Sequence, residues 1–138
     1  MPTTGTYTIV FTALGAATGS ANAELWLFSN QTGPITSGSA IPVNISTPGQ
    51  SDLLTFSGTA GQLASIEFNN DTFNVGCSSQ AIKVLNPDGS TLYSNTYCGG
   101  NFVIDALSLP TTGTYTIVFT PLRTATGSAN AELTISSP

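Results

Sequence analysis

The sequence contains no histidine, and only two of its 138 residues, Lys83 and Arg123, are cationic. Without histidine, the chain cannot build a Ser-His-Asp or Cys-His site, a histidine general base or a zinc site of the common kind. A glycosidase needs two carboxylates that converge on one cleft, whereas the seven acidic residues here are scattered along the chain. We therefore expect a protein that is not an enzyme and that needs no cofactor.

The scarcity of positive charge also limits the partners. Seven acidic residues against two cations give a net charge of −5, and a field of that sign repels nucleic acid and anionic membranes. No apolar run approaches the roughly 20 residues of a membrane span, and the first residues lack the pattern of a signal peptide. We expect neither nucleic-acid binding nor membrane insertion.

The residues that are abundant are typical of β structure. Only 7% of the chain is charged while 40% is hydrophobic, and threonine, valine, glycine and proline recur as they do in strands and tight turns. Alternating apolar and polar residues mark strands at residues 41–45, 53–57, 63–68, 81–85, 91–94 and 102–107, with turn signals about every ten residues. This pattern predicts an all-β fold, an antiparallel β-sandwich of jelly-roll or immunoglobulin-like type, in which Pro42 favours an edge strand.

An internal repeat organises the chain. Residues 2–29 recur at 110–137, and the two copies differ at only six of 28 positions. Each copy has two alternating stretches joined by a loop with glycine, a pattern that predicts a β-hairpin. We expect three parts: a hairpin left from a preceding repeat (residues 1–29), a linker (30–40) and one complete sandwich module (41–138).

The first copy carries Trp26 and Phe28 where the second carries Thr134 and Ser136. These aromatics need covering, either by a loop such as residues 31–40 or by another sheet. A hairpin is not stable alone, so this one docks on its own sandwich or adds strands to another copy or a neighbouring repeat. The predicted interface residues are Tyr7, Ile9, Phe11, Leu25, Trp26, Leu27 and Phe28.

The two cysteines, Cys77 and Cys98, flank the turn signal at residues 86–89 almost symmetrically. Paired strands on either side of that turn would bring them opposite each other, which predicts a disulfide. Two buried free thiols in a reducing compartment are the alternative. A disulfide favours an extracellular or cell-surface location.

Three motifs give the chain a family resemblance. In order they are Phe56-Ser57-Gly58-Thr59-Ala60-Gly61-Gln62, Leu85-Asn86-Pro87-Asp88-Gly89-Ser90 and Leu109-Pro110-Thr111-Thr112-Gly113-Thr114-Tyr115-Thr116. Over residues 41–137 the chain resembles the bacterial pre-peptidase C-terminal domain family, in the tandem form found in large surface proteins. The resemblance implies a jelly-roll-like sandwich without catalytic activity that serves adhesion, substrate targeting or secretion, and in some relatives binds calcium or fibrous substrates.

Few residues are candidates for metal binding or modification. The acidic calcium cluster of some collagen-binding relatives is not evident, and Glu67, Asn69 and Asp71 are weak candidate ligands, since a turn capped by its own side chains also explains them. Asn30, Asn44 and Asn70 each begin an N-glycosylation acceptor pattern.

Two functions follow from these patterns. The first is a structural and adhesive extracellular repeat module that assembles head to tail into filaments by strand complementation, with other copies of itself or neighbouring repeats as partners. The alternative is a polysaccharide- or polymer-binding accessory module whose ligand stacks on Trp26, Tyr93 and Tyr97. A plain spacer without binding activity is a third interpretation.

Overall fold

A computed structural model of the chain describes residues 3–73 and 80–137. Within these residues the chain forms nine strands and no helix: β1 Gln31–Pro34, β2 Ala40–Ile45, β3 Asp52–Gly58, β4 Leu63–Asn69, β5 Gln80–Leu85, β6 Thr91–Tyr97, β7 Phe102–Ser108, β8 Gly113–Pro121 and β9 Gly127–Ser136. They build a five-stranded sheet in the order β1-β3-β8-β5-β6 and a four-stranded sheet in the order β2-β9-β4-β7. The predicted all-β sandwich is confirmed.

The core lies between the two sheets and follows from the alternating sequence. Successive side chains of a strand point to opposite faces, so every second residue of β8 and β4 enters the core while its neighbours remain outside. The rings of Phe68, Phe73 and Phe119 pack together there, with centroids 5.3 Å apart for Phe68 and Phe119 and 5.1 Å apart for Phe73 and Phe119. Together with the aliphatic side chains of both inner faces they form one contiguous core.

The repeated strand pair is an arch between the sheets. β8 pairs with β3 and β5, whereas β9 pairs with β2 and β4. The prediction of a hairpin was therefore wrong, because alternation indicates which face of a strand is buried but not which strand lies beside it. We call residues 111–137 the C-terminal arch.

The first copy of the repeat does not form a hairpin either. Residues 3–29, which we call the N-terminal segment, contain no strand and lie exposed. An arch has no hydrogen bonds between its own two strands, so it needs β2, β3, β4 and β5 as neighbours. In this chain the C-terminal arch already occupies that place, which we call the slot.

The predicted linker at residues 30–40 also needs correction, because it contains β1. This strand pairs in parallel with β3, from Gln31 beside Asp52 to Pro34 beside Thr55. The Gln-Thr-Gly-Pro stretch has no alternation of apolar residues that would predict a strand. It becomes a strand because it pairs with β3. The edge position predicted from Pro42 is confirmed, since β2 is the outer strand of its sheet. No helix in the described part of the chain has the length and apolar character to cross a membrane.

Candidate assembly surface

The N-terminal segment keeps the first local turn of the C-terminal arch. The Tyr7 hydroxyl donates a hydrogen bond to the Thr3 carbonyl oxygen at 2.5 Å, and the Tyr115 hydroxyl donates to the Thr111 carbonyl oxygen at the same distance. The backbone N–H of each threonine in turn donates to the tyrosine oxygen, at 3.4 Å for Thr3 and 3.2 Å for Thr111. This turn therefore forms from local sequence alone, without a neighbouring strand.

The second local turn, at the top of the arch, is also present in both copies. The N–H of Ala17 donates to Leu14 at 3.3 Å, and the N–H of Ala125 donates to Leu122 at 3.3 Å. The residue inside the turn has a φ of 63° at Gly15 and 62° at Arg123. Glycine adopts this conformation without strain and arginine does not, so the N-terminal segment has the better residue for the turn.

The two copies differ completely in burial. In the C-terminal arch eight residues are buried, and seven of them have the same residue type at the equivalent position of the N-terminal segment, the eighth being Pro121 in place of Ala13. Ile117 and Phe119 are fully buried, whereas their equivalents Ile9 and Phe11 are 74% and 84% exposed. The seven shared buried positions are Tyr115, Ile117, Phe119, Ala125, Ala129, Ala131 and Leu133, equivalent to Tyr7, Ile9, Phe11, Ala17, Ala21, Ala23 and Leu25.

The N-terminal segment is the main exposed apolar surface of the described residues. It contains all their exposed large hydrophobic side chains except Val103, including every predicted interface residue. Exposed apolar patches larger than a few hundred Å² mark interaction sites in soluble proteins. The surface is therefore a candidate for contact with another protein.

The segment is attached to the body at a defined point near Phe28. The Phe28 ring lies directly on Gly49, so closely that an added Cβ would be 2.8 Å from its Cε1 atom. The Gln50 side chain donates from Nε2 to the Ser29 carbonyl oxygen at 2.9 Å and accepts from the Ser46 N–H at 3.3 Å. Our sequence interpretation missed Gly49 and Gln50 as contact residues, although their turn signal was visible.

The three proposed platform aromatics lie at different places. Tyr93 and Tyr97 on β6 share a hydrogen bond of 2.7 Å between their hydroxyl groups, and the Tyr97 ring stacks on Phe102 with centroids 3.7 Å apart. Burial, followed by the bond to Tyr93, raises the pKa of Tyr97 to about 12. Trp26 precedes β1, at the other edge of the same sheet. Tyr93 and Tyr97 thus cover one end of the core.

The oxygen-rich stretch after β4 forms a turn. The Asp71 carboxylate accepts from the Phe73 N–H at 2.7 Å through Oδ1 and from Gln80 Nε2 at 2.5 Å through Oδ2. Asn69 donates instead to Glu67 at 3.4 Å. Within residues 3–73 and 80–137 no group of three His, Cys, Asp or Glu side chains converges. Both Asp71 oxygens therefore accept hydrogen bonds from protein groups, and a metal-binding role for Glu67, Asn69 and Asp71 stays a prediction.

The remaining predicted sites are on the surface or outside the described residues. Asn30, Asn44 and Asn70 are all exposed, and Oδ1 of Asn30 accepts from the Ser51 N–H at 3.1 Å. Cys77 lies outside the described residues, so its pairing with Cys98 stays a prediction.

The three sequence motifs meet at one end of the sandwich. Gly58 packs so closely on Leu109 that an added Cβ would lie 2.4 Å from its Cδ1 atom, and Gly113 lies against the Pro87 ring. The N–H of Gly61 donates to the Leu109 carbonyl at 2.9 Å. These residues hold turns together and present no reactive group, so the motifs mark the fold.

Comparison with solved structures supports this fold. Aeromonas hydrophila PliG, a periplasmic lysozyme inhibitor of g-type lysozyme, superimposes with a TM-score of 0.55 at 17% identity, over 78% of this chain and 97% of its own. The pre-peptidase C-terminal domain of collagenase from Bacillus anthracis superimposes with a TM-score of 0.50 at 10% identity, over 76% of this chain and 94% of its own. No protein-family model and no curated protein matches the sequence.

At these identities the likeness concerns the fold alone. The β-sandwich expected from the motif resemblance is found in a domain of that very family, so the expected fold is confirmed. Membership of the family and its tandem form stay predictions.

Proposed function

We propose that the chain is a non-catalytic structural repeat module of an extracellular or cell-surface protein, and that its N-terminal segment joins modules together. The segment inserts into the slot of a second copy, where it replaces the C-terminal arch of that copy. The same contact would link neighbouring repeats within one longer polypeptide. The periplasmic location of the Aeromonas hydrophila protein is consistent with a location outside the cytoplasm.

One observation carries the proposal: the side chains that fill the slot occur twice in the chain. Seven of the eight buried residues of the C-terminal arch are repeated in the N-terminal segment. Five of the six positions that differ are exposed or half-buried in the arch, and the sixth replaces Pro121 by the smaller Ala13. A core accepts a replacement that conserves volume and shape, so the segment fits the slot without repacking.

Connection lengths favour insertion into a second copy. In the slot of its own body, Phe28 would take the place of Ser136, beside Leu63 and next to Ser37, whose hydroxyl group accepts a hydrogen bond from the N–H of Ile135. Only three peptide steps, about 10 Å of extended chain, then lead from Phe28 to Gln31. Between Gln31 and Ser37 lies β1, and the chain from Gln31 to Ile35 alone extends about 13 Å.

Insertion of the segment into the slot of its own chain would therefore pull β1 away from β3. In the present structure these two strands form a parallel ladder of four residue pairs. Insertion into another copy leaves β1 in place. Exchange between copies is close to neutral in core energy because the same side chains are buried, so it depends on protein concentration. It is also slow, because β8 and β9 are bonded on both sides and must first leave both sheets.

The alternative of a polymer-binding platform has less support, because Trp26 and the tyrosine pair lie at opposite edges of the five-stranded sheet. The hydrogen bond between the Tyr93 and Tyr97 hydroxyl groups is explained by stabilisation of the fold as well as by a ligand platform.

The test is to block insertion without touching the monomer. Ile9→Asp places a carboxylate at a position that is exposed here but equivalent to the fully buried Ile117. Loss of the apolar contact and burial of an unpaired charge together cost more than about 4 kcal/mol, which is over roughly a thousandfold in affinity. The control Thr18→Asp adds the same charge at a position whose equivalent, Thr126, is exposed.

The variants are refolded at high concentration and sized by light scattering and negative-stain microscopy, beside the parent chain and a chain that lacks residues 2–29. We expect oligomers or filaments for the parent and for Thr18→Asp, and monomers for Ile9→Asp and for the shortened chain. A parent that stays monomeric, or an Ile9→Asp variant that assembles as well as its control, contradicts the proposal.

A further inference from the structure

The end of the N-terminal segment is fastened to its own body by a set of short contacts. The Ser29 carbonyl accepts from Gln50 at 2.9 Å, Oδ1 of Asn30 accepts from the Ser51 N–H at 3.1 Å, and the N–H of Gln31 donates to the Ser51 carbonyl at 2.9 Å. Gln50 and Ser51 are themselves nearly buried. The segment therefore leaves the body at a fixed position beside the turn between β2 and β3.

Two aromatic side chains, Trp26 and Phe28, directly precede this point of attachment. The Phe28 ring lies against Gly49, which offers no side chain and has a φ of 86°. Trp26 and Phe28 are 37% and 48% exposed, compared with 74% for Ile9. The Phe28 ring is thus partly covered by the body that follows it, and both aromatic side chains keep exposed surface.

Insertion into a second copy would give this exposed surface a defined neighbour. Trp26 and Phe28 are equivalent to Thr134 and Ser136, which point outward from β9 and are exposed. Their partners across the ladder are Ser65 and Leu63 of β4. An inserted segment would therefore carry its two aromatics on the outer face of the accepting sheet, while Phe28 still lies on the Gly49 turn of the donating body.

We propose that Trp26 and Phe28 form a joint between two module bodies, with a second copy of this chain as the partner. The joint consists of the β2–β3 turn of the donor on one side and the outer face of β4 of the acceptor, at Leu63 and Ser65, on the other. It rests on the insertion proposed above, and it adds that successive bodies are held in one orientation. The N-terminal copy, which leads into the body through residues 29–31, carries the two aromatics, and the C-terminal copy has Thr134 and Ser136 at these positions.

The side chains that meet are suited to such a contact. The turn at residues 47–50 is Thr-Pro-Gly-Gln and carries no charge. Leu63 and Ser65 are half-buried and uncharged, and the Ser65 hydroxyl group donates a hydrogen bond to the Asp105 carboxylate at 2.8 Å. The donor side of the joint is therefore uncharged, while one acidic side chain lies beside its acceptor side. A large aromatic side chain can bury 150 Å² or more, and Trp26 and Phe28 contribute the part of their surface that is still exposed.

Trp26 is the only tryptophan of the chain, so tryptophan fluorescence reports on this one position. The parent chain is measured before and after assembly, with acrylamide as the quencher and light scattering as the independent measure of size. We expect the emission to move to shorter wavelength and the quenching to fall as oligomers form.

Phe28→Ser, which copies the residue of the C-terminal arch, is the test variant. We expect it to assemble, because no slot contact is lost, but with Trp26 still open to acrylamide and with filaments that bend more in microscopy. Leu27→Ile, which copies the neighbouring arch residue Ile135, is the matched control and should behave as the parent.

Each outcome has one meaning. Oligomers of the parent in which Trp26 remains as accessible as in the monomer overturn the joint and leave the insertion standing. Equal protection of Trp26 in Phe28→Ser also overturns the joint. A parent that forms no oligomers overturns both proposals.

Discussion

The same substitution at equivalent places in the two copies should have opposite consequences. Ile117 on β8 is fully buried, with Leu54 of β3 and Val84 of β5 as its ladder partners. Ile9 is its equivalent in the N-terminal segment and is 74% exposed. We therefore compare Ile117→Ala with Ile9→Ala.

The expected magnitudes follow from burial. Replacing a buried isoleucine by alanine costs about 2–5 kcal/mol, through lost apolar transfer and the cavity left behind. A core position bonded on both sides, such as Ile117, belongs near the middle of that range, about 3 kcal/mol. An exposed substitution changes the free energy of unfolding by less than about 0.5 kcal/mol. Urea unfolding at low protein concentration, where the chain is monomeric, measures both values.

At high concentration the same variants test exchange. Ile117→Ala weakens the C-terminal arch but leaves Ile9 intact, so a neighbour's N-terminal segment becomes the better occupant of the slot. A preference of about 3 kcal/mol is roughly a hundredfold in the exchange equilibrium. Light scattering should therefore find more oligomer for Ile117→Ala than for the parent, and the double variant with Ile9→Ala should lose that gain.

Equal destabilisation of the monomer by the two single variants would refute the reasoning, because it would mean that both copies share the slot. Oligomer formation that is unchanged in Ile117→Ala would also count against it, since the two occupants would then not compete.

Two further predictions concern the stability of the body. Burial raises the pKa of Asp52 above 3.8, so its charge destabilises the fold at neutral pH, and thermal stability should rise as the pH falls towards this raised pKa. Asp52→Asn should be more stable than the parent at pH 7 and lose this contribution, whereas Glu24→Gln, at an exposed position, should leave the stability at pH 7 unchanged. Gly58→Ala places a Cβ 2.4 Å from Leu109 and should cost about 1–3 kcal/mol by overpacking. Gly33→Ala, with open space around it, is its control, and equal unfolding midpoints would contradict the packing argument.

Much of the sandwich could be predicted from the sequence because alternation and turn residues are local signals. The predicted strands at residues 53–57, 63–68 and 102–107 each fall within an observed strand and differ from it by at most one residue at either end. β1 could not be predicted, because Gln31–Pro34 has no alternation and becomes a strand only through its partner Asp52–Gly58. Turn signals cannot distinguish a hairpin from an arch, since both need two alternating stretches and a loop.

The candidate site also depends on tertiary contacts that local sequence does not encode. The repeat drew attention to the residues of the N-terminal segment, but it could not predict their conformation, because almost the same sequence forms two inner strands at one place and contains no strand at the other. The local turn at Tyr7 has its counterpart at Tyr115, and the turn at Gly15 has its counterpart at Arg123. Strands form only in the C-terminal arch, because ladder hydrogen bonds and burial require the slot, which that arch occupies. The contacts of Gly49 and Gln50 with the segment are tertiary and have no local signal.

The double pairing of β9 also determines how a row of joined modules would respond to pulling. Phe28 leads directly into the next body, so a load would enter along the axis of the strand in the β9 position. That strand is bonded to β2 at residues 40–45 on one side and to β4 at residues 63–69 on the other. Force along the axis loads both ladders in shear, and all their bonds must fail together rather than open one after another. If modules join in this way, such an arrangement would give the row resistance to tension along its axis.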